Sequence, residues 1–132
     1  MSLASDLRRI AANKKSDMEK VVRASAFQLG SNVIMMSPVD EGRLRNNWNS
    51  SIGSIDDSND RGEQTSGGAS FGQLESKINS IDMGATFNFS NSLPYVNRIE
   101  YDGHSKQAPD GVVRVAILQW DSIVQHEASK YK

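Results

Sequence analysis

Glu100, Asp102 and His104, with His126 further along, are the residues of this chain best suited to chemistry. Brought together they would relay a proton or hold a divalent cation, because imidazole titrates near neutrality and binds metal through a neutral ring nitrogen. Their placement argues for something plainer: His104 falls in a polar loop and His126 on an exposed helix position, so a solvated loop is expected in place of a catalytic centre. The chain has no cysteine, which removes thiolate nucleophiles, thiolate metal ligands and disulfides together. Gly67-Gly68 lacks the Lys-Ser/Thr that completes a phosphate-binding loop. Arg43, Arg45 and Trp48 have the chemistry to pair with phosphate and stack on a base. On a strand, however, the two arginines share the face opposite Leu44 and Trp48, which reads as a polar exterior over a core tryptophan. No catalytic residue, cofactor or metal is expected.

The bulk properties point the same way. A chain of 132 residues suits one domain, taken here as 1–132. Its formal charge of −1, from 15 basic against 16 acidic residues, leaves no overall footprint for nucleic acid or an anionic membrane. The first residues reach charge at Asp6 without an apolar run of signal length, and nothing later approaches a membrane span, so synthesis and use in the cytosol are expected. Hydrophobic residues at 37% and aromatics at 7% are sparse for a self-sufficient globule, which leaves burial for a partner to complete.

The elements that would position these residues are legible as periodicities. Leu7, Ala11, Met18, Val22, Ala26, Leu29, Val33 and Met36 recur at helical steps, predicting one long helix, or two collinear ones, over 7–36, ended by Pro38. Arg8, Arg9, Lys14, Lys15, Lys20 and Arg23 fall on its solvated face, with Glu19 and Arg23 paired at i, i+4. Residues 39–42 read as a turn in which Gly42 is free to take positive φ. Leu44, Trp48 and Ile52 alternate with polar residues as in a half-buried strand, and Ile81, Met83, Ala85, Phe87 and Phe89 do so again. The two are expected to pair antiparallel, with a third strand, or a strand lent by a neighbouring subunit, to complete the sheet. Between them, residues 54–70 are rich in Ser, Gly, Asp and Asn and predict a mobile loop, followed by a short helix carrying Phe71, Leu74 and Ile78. A two-turn helix follows Pro94, and Asp110 is placed to cap a C-terminal helix carrying Val113, Ala116, Ile117, Trp120, Ile123, Val124 and Ala128. The fold class is α+β: a long N-terminal helix and a C-terminal helix packed on a small antiparallel sheet, with a long inter-strand loop. Trp120 and Phe87 are expected to hold its core.

Two segments carry a resemblance. Ser37-Pro38-Val39-Asp40-Glu41-Gly42-Arg43-Leu44-Arg45, after a long helix, resembles the Ser-Pro-Val-Asp-Thr-Gly-x-Leu-Arg element of phage neck and tail-completion proteins, with Glu41 in place of the usual Thr. Asn91-Ser92-Leu93-Pro94-Tyr95, Ile99-Glu100-Tyr101 and Ser105-Lys106-Gln107-Ala108-Pro109-Asp110-Gly111 resemble the Pro-Tyr…Glu-Tyr-Gly…Ser-Lys-Gln-Ala-Pro-x-Gly pattern of the branch that includes the lambda tail completion protein Z. Asp102 before Gly103 departs from that pattern.

The resemblance implies a structural virion protein, not an enzyme, made in the host cytoplasm and placed at the head–tail junction. It also implies a ring, expected to be hexameric, in contact with the tail terminator, the head-side connector or stopper, and the tail tube. Tail terminator and stopper are alternative positions, and a small DNA-binding phage protein is the alternative from another class. The expected joining surface comprises Tyr95, Arg98, Glu100, Tyr101, His104, Ser105, Lys106, Gln107 and Pro109, because long polar residues in a loop fixed at both ends suit a shaped contact.

Overall fold

A computed structural model describes residues 2–82, 84–103 and 105–131. Helix α1 spans Leu3–Met36. It begins ahead of its apolar pattern because Ser2 and Ser5 cap each other: Ser2 Oγ accepts the Ser5 amide at 3.1 Å and Ser5 Oγ accepts the Ser2 amide at 3.2 Å. It stops where Pro38 requires, with Ser37 extended at ψ 130°. Arg23 departs from its solvated assignment. Its guanidinium donates to the Ile81 carbonyl at 2.5 and 3.1 Å, pinning a distant loop to the helix in place of an ion pair with Glu19.

After the turn at Gly42, whose φ is 86°, the chain makes a helical turn, α2 (Arg43–Asn46), where a strand was expected. Leu44, Trp48 and Ile52 are spaced by four, a step that fits a helical period as well as an alternating one. The first two are buried, whereas Ile52 is exposed. Strand β1 (Asn49–Ile52) pairs antiparallel with β2 (Phe87–Ser90), Asn49 opposite Ser90 and Ile52 opposite Phe87. The first half of the expected second strand is lost to a turn in which the Ala85 amide donates to the Asp82 carbonyl at 3.1 Å and Gly84 takes φ 92°. Met83 lies outside the described residues.

Helix α3 (Gly68–Asn79) takes the place expected for a third strand. Ser70 Oγ accepts the Trp48 amide and Gln73 Oε1 accepts the Ser50 amide, both at 2.9 Å, so side chains cover the free edge of β1. Leu74 and Ile78 meanwhile point into the core.

Residues 56–64 do not form the free loop that their composition suggests. Asn49 donates to the carbonyls of Asp56 and Ser58 at 2.9 and 2.7 Å, Asn47 to that of Gly62 at 3.0 Å, and Asn46 to that of Arg61 at 3.1 Å. Arg61 answers: its amide donates to Asn47 Oδ1 at 3.0 Å, and its guanidinium to the carbonyls of Asn46 and Trp48. The three asparagines are buried, which corrects the expected place of Asn47 and Asn49 on the polar face of a strand. A mobile loop was expected because few apolar groups are present to offset chain entropy; the structure adds part-buried hydrogen bonds that fasten its backbone to the three asparagines.

Helices α4 (Val96–Tyr101), α5 (Val113–Ile117) and α6 (Trp120–Ala128) complete the fold, with a closing 3-10 turn at Ser129–Tyr131. The C-terminal helix is interrupted because the Leu118 and Gln119 amides bond three residues back, to Val115 and Ala116, tightening the turn. Helix α6 runs along α1 and has no fully buried residue.

Trp120 is therefore not the core tryptophan: it is 37% exposed, against 4% for Trp48. The Trp48 indole donates to Ser37 Oγ at 2.7 Å and stacks on Phe89 with centroids 5.1 Å apart and planes 5° from parallel. Around it gather Val33, Ile34, Leu44, Leu74, Leu93, Ile99, Val112 and Ala116, with Phe87 only half-buried at the margin.

Trp48→Ala is expected to cost about 3–5 kcal/mol in chemical denaturation, and Trp120→Ala about 1 kcal/mol or less. The reverse ranking would move the core to the C-terminal helices. Asn47→Ala should cost roughly 1–3 kcal/mol through the Arg61 and Gly62 groups it leaves unpaired. It should also speed amide exchange at Arg61, and an unchanged rate there would mean that the asparagines do not hold the loop.

Candidate functional site

The two segments that carry the resemblance are far apart in sequence and meet in space through two side chains, Asn91, whose Nδ2 donates to the Leu44 carbonyl at 3.1 Å, and Gln107. Gln107 Oε1 accepts the Val39 amide at 2.9 Å and Gln107 Nε2 donates to the Val39 carbonyl at 3.0 Å, so one carboxamide completes both backbone bonds of an otherwise unpaired residue. Beside this clasp lies a cleft of ≈ 480 Å³, lined by Pro38, Val39, Asp40, Glu41, Arg43 and Leu44 from one segment and by Tyr95, Ile99, Ser105 and Gln107 from the other, with Glu63 between. Gly42 lets residues 64 and 65 pack against the turn that borders the cleft, since a Cβ there would run into the Gln64 backbone.

The cleft carries opposing charge. Glu41 is pushed above the usual carboxylate range, first by its hydrogen bond to Glu63 and then by repulsion from Glu63 and Asp40. Burial pushes the Tyr95 phenol up, and Arg43 opposes that shift.

Glu100 behaves differently from its expected role as a surface contact. Its carboxylate accepts the amides of Val112 at 2.7 Å, Val113 at 2.9 Å and Arg114 at 2.8 Å, the first turn of α5. It thus performs the capping assigned to Asp110, from a different helix. The negative charge also sits at the positive end of α5. Burial is the largest single influence and opposes ionisation, yet the three amides and the Arg114 side chain together outweigh it and lower the pKa. With both oxygens so engaged, Glu100 is a fastening of the 102–111 loop.

The remaining expected residues divide by exposure. Arg98, Tyr101, Lys106 and Pro109 are exposed, and Tyr95 and Ser105 are half-buried at the cleft. Arg114 lies over the Tyr101 ring, 5.1 Å from its centre, which fixes that ring although it faces solvent. Ser105 Oγ accepts the Gln107 amide at 3.2 Å, shaping the turn that presents Lys106. His104 lies outside the described residues. His126 is exposed on α6, and Asp102 is exposed after α4. Among the described residues no group of three His, Asp or Glu side chains is placed to hold a metal.

Arg43 and Arg45 do not share an outer strand face. Arg43 borders the cleft, whereas Arg45 donates to the carbonyls of Met35, Ser37 and Thr65 and ties the end of α1 to the loop before α3. Sequence reasoning missed this tie and the Gln107 clasp. The quoted Leu-Arg and Lys-Gln-Ala-Pro strings were their only signal.

No family model matches this chain, and neither a curated protein nor a solved structure matches it.

Because the folded pKa of Glu100 lies below its ordinary 4.5, its stabilisation is complete above that pH and lost as pH falls through the folded value. Glu100→Gln should therefore lower stability at pH 7 by about 1–3 kcal/mol and flatten the acid limb of the stability profile below about pH 4.5. An unchanged acid limb would show that the carboxylate does not fasten α5.

Proposed function

We propose that this chain is a structural component of the virion of a tailed bacteriophage, acting in the neck or tail-completion region where the tail meets the head-side connector. It works by binding, not by catalysis. The observation that carries the reading is the Gln107 clasp on Val39: the two segments whose residues resemble the neck and tail-completion family form one continuous surface around one cleft. A contact surface needs shape more than reactive groups, and its fixed points serve that need. Glu100, Gln107 and the Arg114–Tyr101 stack hold the loop from within, leaving Arg98, Lys106 and Pro109 outward.

On this reading the partners are the tail terminator, the head-side connector or stopper and the tail tube, and the chain joins them as a homo-oligomer, a six-fold ring being the expected closure. Its place of action is the virion, after synthesis in the host cytoplasm. A tail terminator or stopper would use the same surface at a neighbouring level of the joint.

Lys106→Glu is expected to give a protein with unchanged melting temperature whose phage accumulates separate heads and tails. Electron microscopy of the lysate counts joined particles against free ones. Normal joining by the variant, or absence of the wild-type chain from purified virions, would remove the assignment.

A further inference from the structure

Among the described residues, the start of α1 ahead of Lys14 has no partner within the molecule. From residue 3 to residue 16 every side chain but Asp6 is exposed, and among them Leu3, Leu7 and Ile10 are 75%, 56% and 51% exposed. At about 100° per residue these three fall within roughly 60° of arc, so they form one apolar stripe on a free helical arm. A helix of this length is marginal in water without packing, and its stripe calls for a groove.

The same chain carries such a groove. Ala26, Leu29, Gly30 and Val33 of α1 form its floor, with Phe87 and Phe89 of β2 on one side and Val113, Ile117 and Trp120 on the other, enclosing ≈ 300 Å³ of mainly apolar space. Ile117 is 56% exposed at the rim, and the neighbouring Leu118 is 81% exposed. The floor and the arm belong to one unbroken helix. Residue 7 lies about 35 Å along the axis from residue 30, at 1.5 Å per residue, and a continuous helix cannot fold back on itself. The arm therefore cannot fill its own groove.

We infer that the occupant of the groove is the arm of a second copy of this chain, with Leu3, Leu7 and Ile10 laid against Phe87, Ile117 and Trp120. Donor and acceptor surfaces differ, so the contact is heterologous and propagates head to tail until rotation closes it into a ring. This deepens the oligomeric part of the reading above and rests on it for self-association alone. It does not depend on where in a virion the chain acts.

The test uses the full chain and two variants in analytical ultracentrifugation. Leu7→Asp removes the arm contact and touches no core residue; Ile117→Asp removes the groove and leaves the arm intact. Each alone is expected to be monomeric at concentrations where wild type associates, a weakening of roughly a hundredfold. Mixed together they should form a 1:1 dimer and nothing larger, because one good arm then meets one good groove. Trp120→Ala replaces Ile117→Asp if the latter fails to melt cooperatively. Three results would overturn the inference: a monomeric wild type at roughly 100 μM, association that survives the groove variants, which would indicate arm-to-arm pairing, or a mixture without dimers. DNA binding that is lost on Arg8→Glu with Arg9→Glu, in a protein that does not self-associate, would assign the arm to nucleic acid instead.

Discussion

Short elements leave backbone groups without backbone partners, and this molecule holds because side chains supply what a larger sheet would have supplied. Two strands of four residues offer few ladder bonds. The deficit is met by Asn46, Asn47 and Asn49 on the 56–62 carbonyls, Ser70 and Gln73 on the amides of Trp48 and Ser50, Arg45 on the end of α1, and Glu100 on the start of α5. Each is a polar group in a buried or half-buried place, where an unmade bond is more costly than a made one is favourable. The apolar core is small, and its margin is defined by this polar frame.

Ser37 joins the two kinds of order. As the C-cap of α1 it donates through Oγ to the Val33 carbonyl at 2.7 Å and accepts the Trp48 indole at 2.7 Å. The end of the long helix, the start of the sheet and the deepest aromatic are thereby set by one hydroxyl. From Trp48 the order passes through its stack on Phe89 to β2. Pro38 then directs the chain outward to Val39, where Gln107 closes the cleft.

What could be read from the sequence follows from the range of the interactions involved. The body of α1, its stop before Pro38 and the helix of Leu74 and Ile78 rest on local periodicity and local sterics, and these were legible, as was the antiparallel pairing of two alternating segments. The spacing of Leu44, Trp48 and Ile52 is ambiguous between two periods, and burial of the intervening asparagines decided it. Trp120 lies on a well-patterned stripe, yet that stripe faces α1 only in part, so amphipathicity identified a helix without identifying the core. The crowding of asparagines around Trp48 was visible as composition, but the Arg61 that answers them lies more than a dozen residues away. Glu100 capping a helix twelve residues later leaves no local trace. At the candidate surface, the loop and its exposed Lys106 were legible, whereas the division of the same residues into inward fastenings and outward contacts required their partners.

The projecting part of α1 also has a mechanical meaning. Its last apolar support is the hollow that Met18, Val21 and Val22 line together with Ala128 at the end of α6 and Tyr131 of the closing 3-10 turn. From there to Leu3 the helical arm is a cantilever of roughly 22 Å, so a tilt of about 10° at the support swings the tip by about 4 Å. Small repacking at the C-terminus is thus geared into a large displacement at the opposite end of the chain, and the seat of Tyr131 sets the aim of Leu3.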